Sequence, residues 1–286
     1  MSGAARLARR STIALLFALL LLPTLPTAAS AQNADSTSST KPLFTYRDAI
    51  LAGAFAVTAR LVHPLDEHFR DRLQDSSTQA NRKLQALATF VRTTATPGSY
   101  VIGTSMYAVG RLARNEKLAS LGLHGTEALI VGEGVAGVVK MVVGRQRPSV
   151  SPGNPNSYGF MRGLSSDTYR SFPSGHTVSA FAAAAAVTAE TSRNAPNTRW
   201  IVAPIMYGGA ALVGASRMYN NRHWASDVII GAGIGTFAGL KVVRFNDSHT
   251  GNRVDRFFLT GSLIPEPGGG HALHLSLLPA SLLGLQ

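Results

Sequence analysis

Two histidines in the middle of the chain have neighbours that could support nucleophilic or acid–base chemistry. His223 is followed four residues later by Asp227, and that spacing brings two side chains to one face of a helix. A carboxylate placed there can accept the Nδ1–H proton and leave Nε2 with a free, nucleophilic lone pair. A His–Asp pair at this spacing also occurs in metal sites, which need further neutral or anionic ligands.

The second histidine opens an alanine-rich stretch in the run Pro173-Ser174-Gly175-His176. Ser and Gly before such a run indicate a helix start, where free N–H groups and the positive end of the helix dipole bind anions. Glycine lets the backbone approach a ligand closely, and His176 can exchange a proton near neutral pH. A capped helix carrying a surface histidine would show the same pattern.

Cations accompany both histidines. Lys140 precedes Arg147 by seven residues, close to two helical turns, so both would project on one side if the helix continues to Pro148. Arg217 precedes His223 by six residues. Three cations would repel a metal ion, which favours an anionic ligand at this place.

Together, three blocks resemble the signature of the type 2 phosphatidic acid phosphatase and haloperoxidase superfamily, in order and in internal spacing. The first block is Lys140–Pro148, the second is Pro173–His176, and the third is Ser216–Asp227. The resemblance covers residues 140–227, and the apolar helices from about 98 to 243 suit that family's core. It implies that Lys140, Arg147 and Arg217 bind the phosphoryl oxygens with help from Ser174 and Gly175. It further implies that His223 is the nucleophile, that Asp227 orients it, and that His176 is the acid and base, with no metal or other cofactor.

Two other functions remain open at this point. The same superfamily contains vanadate-dependent haloperoxidases, in which the histidine binds vanadium, although this chain is short for that architecture. A non-enzymatic basic envelope protein that binds anionic lipid would explain the charge and the apolar helices, but not the His223–Asp227 pair.

The elements that must position these residues are predicted to be helices. Apolar stretches rich in Ala, Gly, Val and Leu lie near residues 46–62, 98–113, 120–143, 175–191, 199–216 and 224–243, and none alternates like a strand. The segment Asp66–Arg92 suits one or two amphipathic helices. The fold class is therefore predicted as all-α, a bundle of about six apolar helices with the site at helix ends.

The two ends of the chain differ from this bundle. Residues 1–31 read as a secretory signal peptide, with a basic start, an apolar run and the Ala29-Ser30-Ala31 cleavage pattern. Residues 32–44 are predicted to be a flexible leader, 45–247 the helical phosphatase domain, and 248–286 a tail. Within the tail, Phe257–Ile264 and His271–Leu278 could form a β-hairpin.

Composition limits the partners. Loss of Arg6, Arg9 and Arg10 with the signal peptide would lower the net charge from +12 to +9, which suits anionic partners. The sequence contains no cysteine, so disulfides and thiolate metal sites are excluded.

Two uncharged runs, Thr93–Gly110 and Trp200–Ser216, approach the length needed to span a membrane. We expect an exported, membrane-associated protein of the cell envelope that acts on a phosphorylated lipid or isoprenoid, not on nucleic acid.

Overall fold

The computed structural model describes most of the residues after position 41. The described ranges are 42–249, 252–259, 262–265 and 271–274. The expected signal peptide at 1–31 and nearly all of the expected leader at 32–44 lie outside them.

Within these ranges the chain is a bundle of α-helices followed by one short hairpin. The helices are α1 Tyr46–Val62, α2 Asp66–Gln74, α3 Ser76–Gln79, α4 Arg82–Leu112, α5 Glu116–Val143, α6 Gly175–Asn194, α7 Arg199–Tyr219, α8 Ala225–Ser248 and α9 Arg253–Leu259. Short 3-10 turns occupy His63–Leu65, Arg162–Leu164, Asp167–Tyr169 and Pro196–Thr198. The predicted all-α class is confirmed.

The charged segment after α1 divides differently from the sequence prediction. It forms α2, α3 and the first part of α4, which then continues through Pro97. The Asn81 side chain starts α4 by accepting hydrogen bonds from the backbone N–H groups of Lys83 and Leu84. The apolar stretch predicted at 98–113 is therefore only the second half of a longer helix.

Helix α6 lies in the middle of the bundle. Its side chains from Phe181 to Ala186 are mostly inaccessible to solvent, with Phe181 packed edge-on against Tyr207 of α7. One face of α6 joins α1, α7 and α8 in a core cluster, and another joins α5 and α8. Small alanines on all sides let the neighbouring helices pack closely around α6.

Helix α8 comes closest to α6 at two glycines one turn apart. A Cβ atom on Gly235 would lie 2.3 Å from the carbonyl oxygen of Val178, and one on Gly239 would lie 2.5 Å from that of Ala182. These distances are too short for any side chain, so the glycines set the spacing of the two helices.

The tail contains a helix as well as a hairpin. β1 (Ser262–Pro265) pairs antiparallel with β2 (His271–His274), in agreement with the predicted hairpin. The first predicted strand is too long, because Phe257 belongs to α9. That helix is held by tertiary contacts, since the hydroxyl of Tyr107 donates to the backbone oxygen of Phe258.

Among the residues that the structure describes, three helical segments are long and apolar enough to cross a membrane. They are Tyr46–Gln74, Pro196–Tyr219 and Ala225–Ser248. The run Trp200–Ser216 lies within the second, whereas Thr93–Gly110 in α4 is not among the three.

The close approach of α8 to α6 can be tested with paired alanine substitutions. Gly235→Ala should lower the free energy of unfolding by about 1–3 kcal/mol, because its Cβ overlaps the α6 backbone. Gly209→Ala in α7, with no atom within 4 Å of the new Cβ, should raise it by about 0.4–1 kcal/mol. Thermal unfolding in detergent measures both, and a Gly235→Ala protein as stable as the wild type would contradict this packing.

Candidate active site

The residues singled out from the sequence meet at one end of the bundle. Lys140 lies in the last turn of α5 and Arg217 in the last turn of α7, while α6 begins at Gly175. Lys140, Arg147 and Arg217 are each close enough to both His176 and His223 to lower their pKa values. The predicted site at helix ends is therefore assembled.

Arg147 reaches this site by a different route from the one predicted. Helix α5 ends at Val143 instead of continuing to Pro148, because Gly144 adopts a left-handed conformation with φ of 57°. A Cβ atom at Gly144 would lie 1.9 Å from the carbonyl oxygen of Gly159. The chain thus leaves the helix sharply, and Arg147 extends from a loop, not from the same helix face as Lys140.

Lys140 is anchored by the backbone that precedes α6. Its ammonium group donates hydrogen bonds to the carbonyl oxygens of Pro173 and Arg170. Burial, together with repulsion by Arg147 and Arg170, outweighs the attraction of Asp227 and Glu133 and lowers the pKa of Lys140 to about 8. Lys140 is therefore a cation at neutral pH that loses its charge under mildly alkaline conditions.

Arg147 is held by a residue that the sequence reasoning missed. Its Nε donates to the backbone oxygen of Asp167 at 2.9 Å, and its Nη2 donates to the Asp167 carboxylate at 2.8 Å. The same carboxylate lies 3.1 Å from Nη2 of Arg222. This exposed carboxylate fixes the direction of Arg147, and Arg147 lowers its pKa through their hydrogen bond.

Arg217 differs from the other two cations in its lack of partners. Its side chain is buried, and among the described residues its Nε and Nη1 atoms have no hydrogen-bond partner. A buried charge with unsatisfied donors is costly unless a ligand accepts those hydrogen bonds. The guanidinium group of Arg217 is thus suited to bind an anion.

His223 is oriented by a backbone carbonyl, which corrects the predicted role of Asp227. The Nδ1 atom of His223 lies 2.6 Å from the carbonyl oxygen of Ser171, but 3.9 Å from the Asp227 carboxylate. A carbonyl oxygen only accepts, so Nδ1 carries the proton and Nε2 keeps its lone pair. His223 precedes the first residue of α8, Ala225, so the predicted common helix face does not form.

Asp227 is connected to His223 through other residues. Its Oδ2 accepts hydrogen bonds from the hydroxyl of Ser171 at 2.6 Å and from the backbone N–H of Trp224 at 2.9 Å. Ser171 therefore connects the two, because its hydroxyl binds Asp227 and its carbonyl oxygen binds His223. Nothing in the sequence marks Ser171, since its contact with the histidine is made by the backbone.

His176 lies in the first turn of α6 and faces the same three cations. Burial and the charges of Arg217, Lys140 and Arg147 lower its pKa to about 4. His223 is shifted in the same direction, by burial and by the same cations. Both imidazoles are consequently neutral at pH 7 before any anion binds.

Ser174 and Gly175 lie at the start of α6. Ser174 is buried, and its hydroxyl oxygen accepts a hydrogen bond from the hydroxyl of Thr177 at 2.8 Å. The Ser174 side chain does not cap the helix, and its own O–H group can still donate, because the contact with Thr177 uses only its oxygen as an acceptor. Gly175 is the first residue of α6, where backbone N–H groups have no partner within the helix.

Behind the histidines, Asp227 belongs to a group of buried charges whose other two members, Arg145 and Asp66, the sequence reasoning did not assign. Arg145 contacts both Asp227 and Asp66, and all three are buried. Arg145 lies inside the first block, whereas Asp66 is far away in the sequence, and no local pattern distinguishes it.

No cluster of three or more His, Asp or Glu side chains in the described ranges is placed to hold a metal ion. The site instead presents cations and N–H donors, the groups that bind phosphoryl oxygens.

Comparison with known proteins identifies relatives of this chain. The family model described as the PAP2 superfamily matches residues 123–250. Lipid A 1-phosphatase of Porphyromonas gingivalis is 45% identical over 69 residues, which are 24% of this chain and only 15% of that protein. The crystal structure of a transmembrane PAP2-type phosphatidylglycerolphosphate phosphatase from Bacillus subtilis aligns with a TM-score of 0.47 and 21% identity, over 73% of this chain and 100% of that one.

The lowered pKa of Lys140 predicts how anion binding depends on pH. Because the cation is present below about pH 8 and lost above it, the Kd for inorganic phosphate should rise by up to about tenfold per pH unit between pH 8 and 9.5. Phosphate stays dianionic over this range. Lys140→Arg remains protonated and should flatten the profile, measured by calorimetric titration. Parallel profiles for both proteins would contradict the assignment.

Proposed function

We propose that this chain, whose residues 123–250 match the family model of the PAP2 superfamily, is a metal-independent phosphatase of that family that forms a phosphohistidine at His223. The substrate is a phosphate monoester or diphosphate of a lipid or isoprenoid. The matched segment of the P. gingivalis relative is a small part of that protein, so the proposal rests chiefly on the geometry of the site.

The main support comes from the Nε and Nη1 atoms of Arg217, which are buried without a partner among the described residues. Arg217 is buried beside Lys140 and Arg147, and all three cations act on both histidines. A bound phosphoryl group would accept the free hydrogen bonds of Arg217 and relieve the repulsion among the three cations. The same fixed charges would stabilise the negative charge that develops on the equatorial oxygens during transfer, in place of metal ions.

His223 is suited to be the nucleophile. With its proton held on Nδ1 by the carbonyl oxygen of Ser171, Nε2 attacks phosphorus as the bond to the leaving oxygen breaks. The imidazole gains positive charge as the N–P bond forms, and the nearby carboxylate of Asp227 offsets that charge.

His176 is suited to move the proton in both half-reactions. In the free protein its pKa is about 4, but a phosphate dianion would offset the surrounding cations and raise that pKa, so that His176 binds a proton. It then gives this proton to the leaving oxygen. Once neutral, it takes a proton from the water that attacks the phosphohistidine, and water oxygen replaces nitrogen on phosphorus.

A lipid substrate is supported by the surfaces around the site. Two of the three segments able to cross a membrane directly flank His223, since one ends at Tyr219 and the next begins at Ala225. The turn Arg162–Leu164 packs against the end of α5, and the nearby Phe160 and Leu164 are exposed apolar side chains. An amphiphile could therefore keep its apolar part in the bilayer while its phosphate reaches the cations. Export to the cell envelope is part of this proposal.

Phosphate release from purified protein tests the function. Vesicles containing phosphatidic acid or an isoprenoid diphosphate should be hydrolysed faster than water-soluble monoesters, and vanadate should inhibit. Activity should persist in EDTA, because the cations of the site replace metal ions, and His223→Ala should abolish it. EDTA-sensitive turnover restored by magnesium or zinc, or a fully active His223→Ala protein, would refute the mechanism. Halide oxidation with vanadate and peroxide would instead indicate a haloperoxidase.

Substitution of His176 and substitution of His223 should impair different steps of the reaction. His176→Ala should slow turnover of an ordinary substrate by roughly 10²–10⁴, the usual contribution of general acid–base catalysis. With a good leaving group the first step needs little protonation, so the phosphohistidine should form and accumulate because water is no longer activated. Acid-labile, base-stable label measures this intermediate. Label found on His176, or retained in His223→Ala, would reverse the two roles.

A further inference from the structure

A chain of buried charges extends from the candidate nucleophile to a helix outside the matched family segment. The Nη1 atom of Arg145 donates to Oδ1 of Asp227 at 2.5 Å, and its Nη2 donates to Oδ2 of Asp66 at 2.8 Å. The Ser226 hydroxyl joins the same group, since it donates to Asp66 at 2.6 Å and accepts from Arg145 at 2.8 Å. Asp66 and Asp227 are fully buried and Arg145 is nearly so.

Asp66 is built into this position. It is the first residue of α2, and its Oδ1 accepts the backbone N–H of Ser226 in the first turn of α8 at 2.9 Å. At the other end of α2, the side chain of Gln74 donates to the backbone oxygen of Tyr219 at 3.0 Å. Helix α2 is therefore fixed to the segments on both sides of His223, although it precedes residue 123, where the family match begins.

Packing alone does not require these charges. A buried ion pair is often no more stabilising than apolar residues of the same volume, because each charge loses its hydration. The arrangement contains two carboxylates for one guanidinium and thus carries a net charge of about −1 beside a site lined with cations.

The charge balance indicates what Asp66 contributes to the site. Arg145 by itself would neutralise Asp227, whose negative charge is needed to offset the positive charge that develops on His223. Because Asp66 binds the other end of the guanidinium group, Arg145 is shared between two carboxylates. The Asp227 carboxylate then keeps part of its electrostatic effect on the His223 imidazole.

We propose that Asp66 is a positioning residue for the reaction: by neutralising Arg145, it keeps Asp227 negative and directed towards the Ser171–His223 pair. This inference rests on the proposed phosphatase activity of the same site. Asp66 itself contacts neither the imidazole nor the phosphate-binding cations in the described structure, so its effect passes entirely through Arg145 and Asp227.

The test compares charge variants in the phosphate-release assay. Asp66→Asn keeps the shape but removes the charge. We expect kcat to fall by about 10- to 100-fold, which corresponds to lowering the pKa of the His223 imidazole by one to two units. KM should stay within about threefold, because Lys140, Arg147 and Arg217 are untouched. Asp48→Asn is the matched control, since Asp48 is also a helical carboxylate with a cationic partner, Lys241, but lies outside this network. It should keep wild-type kcat.

The double variant Asp66→Asn/Arg145→Gln separates charge balance from simple structural support. It removes one negative and one positive charge, so the group of Asp66, Arg145 and Asp227 returns to a net charge of −1, carried by Asp227. Its kcat should therefore exceed that of Asp66→Asn. Thermal unfolding of each purified protein shows whether the fold persists.

The possible results separate the two proposals. An Asp66→Asn protein with wild-type kcat overturns the positioning role, as does one that fails to fold or a double variant no better than the single one. Wild-type protein that releases no phosphate, or His223→Ala that remains active, would instead refute the phosphatase mechanism and with it the basis of this inference.

Discussion

The convergence of three cations on two histidines at one end of the helical bundle is the constraint on which the site depends. Lys140, Arg147 and Arg217 lower the pKa values of both histidines, and Arg217 retains buried donors without a partner among the described residues. Such an arrangement is unfavourable until an anion enters. The rest of the structure can be understood as the means by which the cations are held close together.

The helical bundle brings the three cations together because small residues allow the helices to pack closely and their ends to converge. Alanines on α6 and the glycines of α8 bring helix backbones close enough for the ends of four helices to converge. The helices also contribute electrostatically. Lys140 and Arg217 lie at C-terminal ends, where a cation is favoured, and the N-terminus of α6 directs its free N–H groups into the site.

Negative charge lies on the opposite side of His223 from its proposed target. Asp227, Ser171 and the shared guanidinium of Arg145 form a buried layer behind the imidazole, and Asp66 completes it from outside the family match. In the proposed mechanism, the cations would attract the phosphoryl group and the carboxylates would stabilise the charge that the ring acquires. This asymmetry would favour the transition state more than the free substrate.

The sequence by itself determined the all-α class, the helical periodicity, and the residue types and spacing of the three blocks, because these depend on local order along the chain. Tertiary structure alone decided the partner of His223, since a backbone carbonyl such as that of Ser171 has no sequence signature. It also decided that α5 ends at Val143, because the left-handed Gly144 that follows lies against the carbonyl oxygen of Gly159. The contact of Asp66 with Arg145 joins residues 79 apart in the chain, and burial, which only folding creates, gives that contact its strength.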